Sequence, residues 1–251
     1  MLSPTNPSLS APPHSAPPRA WLIAIAVCAL PLAAAWWLTI NMSGDFYAAN
    51  NGGGQMFFTF GALFIMWAVM MAAMMLPSVF PATLLFSRVN REWQKTGAFV
   101  CGYLSAWLVF SLAAAAGQWR LMRWDGLDEN LALSSNIAQG ALLGFAGVYQ
   151  FSTLKKACLR WCAEPVTFFL LHWKNGRAGA IVMGLKNGGF CLGCCWVLML
   201  LLFVGGVMEL RWIFLLAFFA LAEKILPLAV SEITGKIIGG ILLLVSLLAI
   251  F

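Results

Sequence analysis

Charge is scarce in this chain: Asp, Glu, Lys and Arg together make up 10% of 251 residues, where a soluble domain carries about a quarter. Beside 62% hydrophobic residues, that shortage excludes a water-soluble globule, because no folded monomer can hide so much apolar surface from water. Histidine is nearly missing, with His14 and His172 alone. This argues against a bis-histidine haem inside a helical bundle and against a histidine-rich zinc path. The chain also lacks a P-loop, a dinucleotide-binding loop, a metalloprotease helix and a serine elbow, so an enzymatic role is the less favoured expectation. Finally, the apolar runs lack the two-residue alternation of barrel strands. Within lipid the backbone must satisfy its own hydrogen bonds, which leaves helices.

A membrane span takes about 20 mostly apolar residues. By that rule the sequence predicts helices near 20–40, 57–80, 97–117, 134–152, 190–208, 211–230 and 234–251. The expected fold is an all-α, polytopic transmembrane helical bundle of about seven spans. Six would follow from cleavage of the first as a signal peptide, or from the last lying at the membrane surface. The first run ends in the interfacial pair Trp36-Trp37, which favours a retained span. Residues 1–18, rich in Pro and Ser, form an expected disordered tail, and 19–251 form a single transmembrane domain. Loop 41–56 is expected to be flexible around Gly52-Gly53-Gly54. Pro77 and Pro81 are expected to end or kink the second helix.

The net charge of +6 has a topological reading rather than a nucleic-acid one. Arg88, Arg91 and Lys95 outweigh Glu92 in loop 87–96. Lys155, Lys156, Arg160, Lys174, Arg177 and Lys186 outweigh Glu164 in loop 153–189. The positive-inside rule puts both loops, and the amino terminus, in the cytoplasm. A short interfacial or re-entrant helix is expected near 166–173. The expected partners are the lipid bilayer and another membrane or metal-delivery protein; nucleic acid is excluded.

Cysteine, by contrast, is plentiful, with seven in the chain. Cys28 and Cys101 read as small hydrophobes within spans. The other five fall in two groups on the expected cytoplasmic side. Cys158 and Cys162, four apart, share a face if helical. Cys191, Cys194 and Cys195 combine a C-x-x-C pair with a one-turn pair at the expected start of a span. A reducing compartment disfavours structural disulfides there and leaves metal binding or thiol exchange. Thiolates suit copper(I) or tetrahedral zinc.

Methionine adds a second soft donor. Met66, Met70 and Met74 recur every four residues, with Met71 and Met75 as a neighbouring stripe. A thioether favours copper(I) over harder ions, although such stripes commonly serve packing. Glu223 and Lys224 lie inside an apolar run just before Pro227, where an ionisable group is costly and draws a functional reading. Glu223 is a candidate ligand or charge-balancing group. Lys224 either snorkels or meets another partner.

Several of these stretches also resemble a known family. Met70-Met71-Ala72-Ala73-Met74-Met75-Leu76-Pro77-Ser78, Tyr149-Gln150 with Leu154-Lys155 and Cys158-Leu159, Gly193-Cys194-Cys195-Trp196, and Glu223-Lys224 before Pro227 carry the likeness. Over about residues 60–230 the chain is similar to bacterial proteins catalogued as predicted metal-binding integral membrane proteins (domain of unknown function 2182). The resemblance implies a polytopic inner-membrane protein with a metal site. One position departs from it: the family tends to carry His-Gly before the cysteine cluster, where this chain has Asn187-Gly188.

The expected function is therefore binding or handling of a soft transition metal, copper(I) before zinc. The expected ligands are Cys158, Cys162, Cys191, Cys194 and Cys195, with Met70, Met74, Met75 and Glu223. The alternatives are a membrane thiol-disulfide oxidoreductase and a non-catalytic subunit of a larger membrane complex. In the last case Gly205-Gly206 and Gly239-Gly240 would serve close helix contact.

Overall fold

The computed structural model of the protein describes residues 18–51, 59–90 and 92–250; all of the expected amino-terminal tail except Pro18 lies outside them, as does the Gly52-Gly53-Gly54 stretch. The described residues are helical throughout, apart from connecting turns and one isolated bridge between Leu127 and Leu133. In chain order the helices are α1 Pro18–Asn51, α2 Phe60–Asn90, α3 Trp93–Arg123, α4 Asn136–Gln150, α5 Thr153–Ala163, α6 Pro165–His172, α7 Gly176–Leu200, α8 Leu202–Gly205, α9 Leu210–Ile225 and α10 Leu228–Ile250.

Among the described residues, five helical stretches are long and apolar enough to cross a membrane: Leu22–Phe46, Phe60–Asn90, Trp93–Arg123, Gly176–Gly205 and Leu228–Ala249. This corrects the expectation of about seven. The run near 134–152 is a helix of 15 residues, α4, and the run near 211–230 is a helix of 16 residues, α9. Both fall short of a full span. The reason for α9 is local, since Pro227 removes a backbone donor and pushes Leu226 into extended geometry.

Other boundaries also shift. The expected loop at 41–56 is helical as far as Asn51, in α1. Neither proline ends α2, which continues through Pro77 and Pro81 to Asn90. The largest change is α7, which begins at Gly176 rather than near 190. Arg177 and Lys186 interrupt the apolar run but sit on exposed helix positions, so helix and hydropathy run need not share a start. The short helix expected near 166–173 is α6.

Small residues set the packing. The most extensive interface is α3 against α7. A Cβ at Gly184 would collide with the Phe99 carbonyl, and one at Gly188 would stand 2.7 Å from the Tyr103 carbonyl oxygen. Small residues four apart allow such backbone contact within lipid, where packing rather than hydrophobic burial drives helix association. Next in extent, α10 lies on α4, with Ser246 Oγ donating to the Gly140 carbonyl at 2.7 Å. Large apolar side chains face outward, among them Leu30, Leu170, Phe218 and Leu248, each more than 70% exposed. That surface suits lipid.

Candidate functional site

The close α3–α7 contact places Tyr103 beside Cys191. The phenol oxygen lies 2.9 Å from Cys191 Sγ and donates to the Met75 carbonyl of α2 at 3.1 Å. All three residues are fully buried. Because α7 starts at Gly176, Cys191 sits about 22 Å along the helix, deep in the bundle rather than at a helix start.

Around Cys191 the sulfur atoms gather. Cys194 Sγ and Cys195 Sγ donate to the same acceptor, the Cys191 carbonyl oxygen, at 3.0 and 2.9 Å. Cys162, on α5, lies near the Cys191 and Cys194 thiols. Those neighbours hold the Cys162 thiol well above its ordinary pKa, and burial adds to the effect. Cys158, one turn earlier, packs onto Gly193, where a Cβ would stand 2.6 Å from its sulfur. Burial, followed by nearby Cys194, raises its pKa too. Tyr149 of α4 donates to the Gly193 carbonyl at the same place. The two cysteine groups, far apart in sequence, therefore meet.

The group at the centre of these sulfurs is an ammonium. Lys224 Nζ lies 2.9 Å from Cys191 Sγ, 4.0 Å from Cys195 Sγ and 3.9 Å from Met75 Sδ. Its neighbour Glu223 points elsewhere: both carboxylate oxygens accept from Lys155 Nζ, at 2.6 and 2.8 Å. Lys155 also donates to Gln150, and Ser231 Oγ donates to the Glu223 carbonyl at 2.8 Å. Adjacent helix positions project about 100° apart, which is why two consecutive residues serve two separate clusters.

Of the residues expected from the sequence, Cys162, Cys191, Cys194, Cys195 and Met75 come together, with Cys158 at the edge. Met70 and Met74 are buried in the common core, with no polar contact to the sulfur cluster. Glu223 engages Lys155. Among the described residues no three His, Cys, Asp or Glu side chains form a ready-made metal cage; the sulfurs surround a lysine instead. Sequence reasoning missed Tyr103 altogether and gave Lys224 no place in the site. The one available signal for Lys224 was a charge inside an apolar run.

The family model for the PpoB2 copper chaperones matches residues 64–249. The chain belongs to that copper chaperone family. The match takes in α3 to α9 and nearly all of α2 and α10, with every residue of the sulfur cluster, Lys224 and the Lys155–Glu223 pair. Neither a curated protein nor a solved structure matches the chain. At family level, then, the chain is tied to copper. The donors fit it: thiols and a thioether are soft ligands that favour copper(I).

Proposed function

We propose that the protein is a membrane-embedded copper chaperone that carries copper(I) as cargo on sulfur. The observation that carries this reading is the meeting of thiols from α5 and α7 with the Met75 thioether of α2 around one buried cationic position. Cys191 and Cys195 are the central ligands, with Met75, Cys162 and Cys194 able to complete the set. Cys158 is a peripheral donor, and Met70 and Met74 are thioethers further along α2. Glu223 contributes charge balance through Lys155 rather than by touching the sulfurs. Copper(I) is preferred over zinc because the set contains a thioether and no histidine.

We place the protein in a bacterial cytoplasmic membrane with its amino terminus inside, following the positive-inside distribution of Lys and Arg. Its partners are lipid and a protein that supplies or receives the metal. Thiol-disulfide exchange is the weaker reading, because Cys191, Cys194 and Cys195 are each at most 1% exposed and a substrate disulfide must reach the attacking sulfur.

The test is metal content of the purified protein by elemental mass spectrometry, beside Cys191→Ser. Near-stoichiometric copper, lost in the variant, is the expected result. Copper-free protein after growth in added copper, or copper unaffected by the substitution, refutes the assignment.

A further inference from the structure

Lys224 is 9% exposed, and among the described residues no carboxylate lies within ion-pair distance of it. The nearest candidate by sequence, Glu223, has both oxygens committed to Lys155. An ammonium buried without a counter-charge is costly. The groups that meet this one are sulfur atoms, with Cys191 nearest at 2.9 Å. The site thus contains one built-in positive charge that no carboxylate neutralises.

We propose that Lys224 is the charge-selecting residue of the sulfur site, setting it to take a monovalent soft cation and to disfavour a divalent one. This rests on the sulfur cluster being the copper site. Two thiolates around a monovalent ion carry one net negative charge, which the Lys224 ammonium cancels. The same two thiolates around a divalent ion are neutral already, so the ammonium is left uncompensated in a low-dielectric interior. Fixed charge also acts directly, since repulsion between the ammonium and a bound ion doubles with the charge of the ion. Lys224 therefore adds discrimination by charge to the discrimination by softness that sulfur provides.

The experiment compares full-length wild type, Lys224→Met and Lys224→Arg in detergent. Copper(I) and zinc affinities are measured separately by competition with chromophoric chelators, and thermal unfolding reports the fold. The expected outcome is that Lys224→Met shifts the copper-to-zinc affinity ratio toward zinc by roughly tenfold or more, while Lys224→Arg keeps the wild-type ratio. A folded Lys224→Met protein with an unchanged ratio overturns the proposal. If the Met variant does not fold, silver(I) and cadmium on the wild type serve instead, as soft ions differing in charge. Their affinity ratio is then referenced to the same ions on dithiothreitol. Enrichment for silver over that reference supports charge selection, and no enrichment refutes it. Wild-type protein that binds none of these ions, or binds them equally after Cys191→Ser, refutes the copper site itself and is thereby told apart from failure of the charge argument.

Discussion

Glu223 and Lys224 are consecutive residues of α9 that hold two different cysteine-bearing helices. Glu223 grips Lys155 on α5 through both carboxylate oxygens, and Lys224 reaches Cys191 on α7 at 2.9 Å. One dipeptide thus bridges the helices of Cys162 and Cys191, which also pack directly on each other. The chemistry on the two sides differs: a carboxylate–ammonium pair on one, an ammonium among sulfurs on the other.

Removing one partner of the buried Lys155–Glu223 pair should cost about 3–5 kcal/mol, because the other charge is left uncompensated. Glu223→Gln and Lys155→Met should each lower the thermal unfolding midpoint in detergent, and the double variant should lose less than the sum of the two. Additive losses would show that the two residues act independently.

The cysteines should separate into two classes by metal content. Cys162→Ser and Cys195→Ser should reduce bound copper, whereas Cys101→Ser, on an exposed face of α3, should leave it unchanged. Elemental analysis of each purified variant decides the matter, and equal copper in all of them contradicts the cluster assignment.

Backbone contact between α3 and α7 should be intolerant of side-chain volume. Gly184→Leu would drive a side chain into the Phe99 carbonyl, at a cost of about 1–3 kcal/mol or more for overpacking. It should also move Tyr103 away from Cys191, so copper retention should fall along with the unfolding midpoint. A Gly184→Leu protein as stable as wild type would mean that the helices do not approach so closely.

Cys158 should be slow to alkylate. Its pKa is raised by burial and by nearby Cys194, so at any pH between neutrality and the ordinary thiol pKa it holds less reactive thiolate than a free thiol. Its iodoacetamide rate, followed by peptide mass spectrometry, should rise with pH and reach its midpoint above that of free cysteine. A midpoint at or below the free-thiol value contradicts this environment.

The sequence made the helical class and the cysteine groups legible, because both are recorded in residue type and spacing. Helix lengths were harder to read. Arg177 and Lys186 break the hydropathy of α7 without breaking the helix, since both project outward. In the opposite direction, the apolar run around α9 continues past Pro227 while the helix does not. Within the site, Cys162 and Cys191 were named as candidates, but their meeting depends on how α5 folds back on α7. Tyr103 carries no local signal, as its role comes from Gly184 and Gly188 admitting α3. Lys224 is conspicuous in sequence, yet its partner is fixed by the rotation of α9.

The short length of α9 has a consequence for the surrounding membrane. Sixteen residues rise about 24 Å, several ångströms less than the hydrocarbon thickness of an ordinary bilayer, about 30 Å. Phe214, Leu215 and Phe218 face outward from this helix, so lipid tails beside it meet a shorter apolar wall than those beside α2 or α3. Such a mismatch favours local thinning of the bilayer, here next to the helix that carries Lys224.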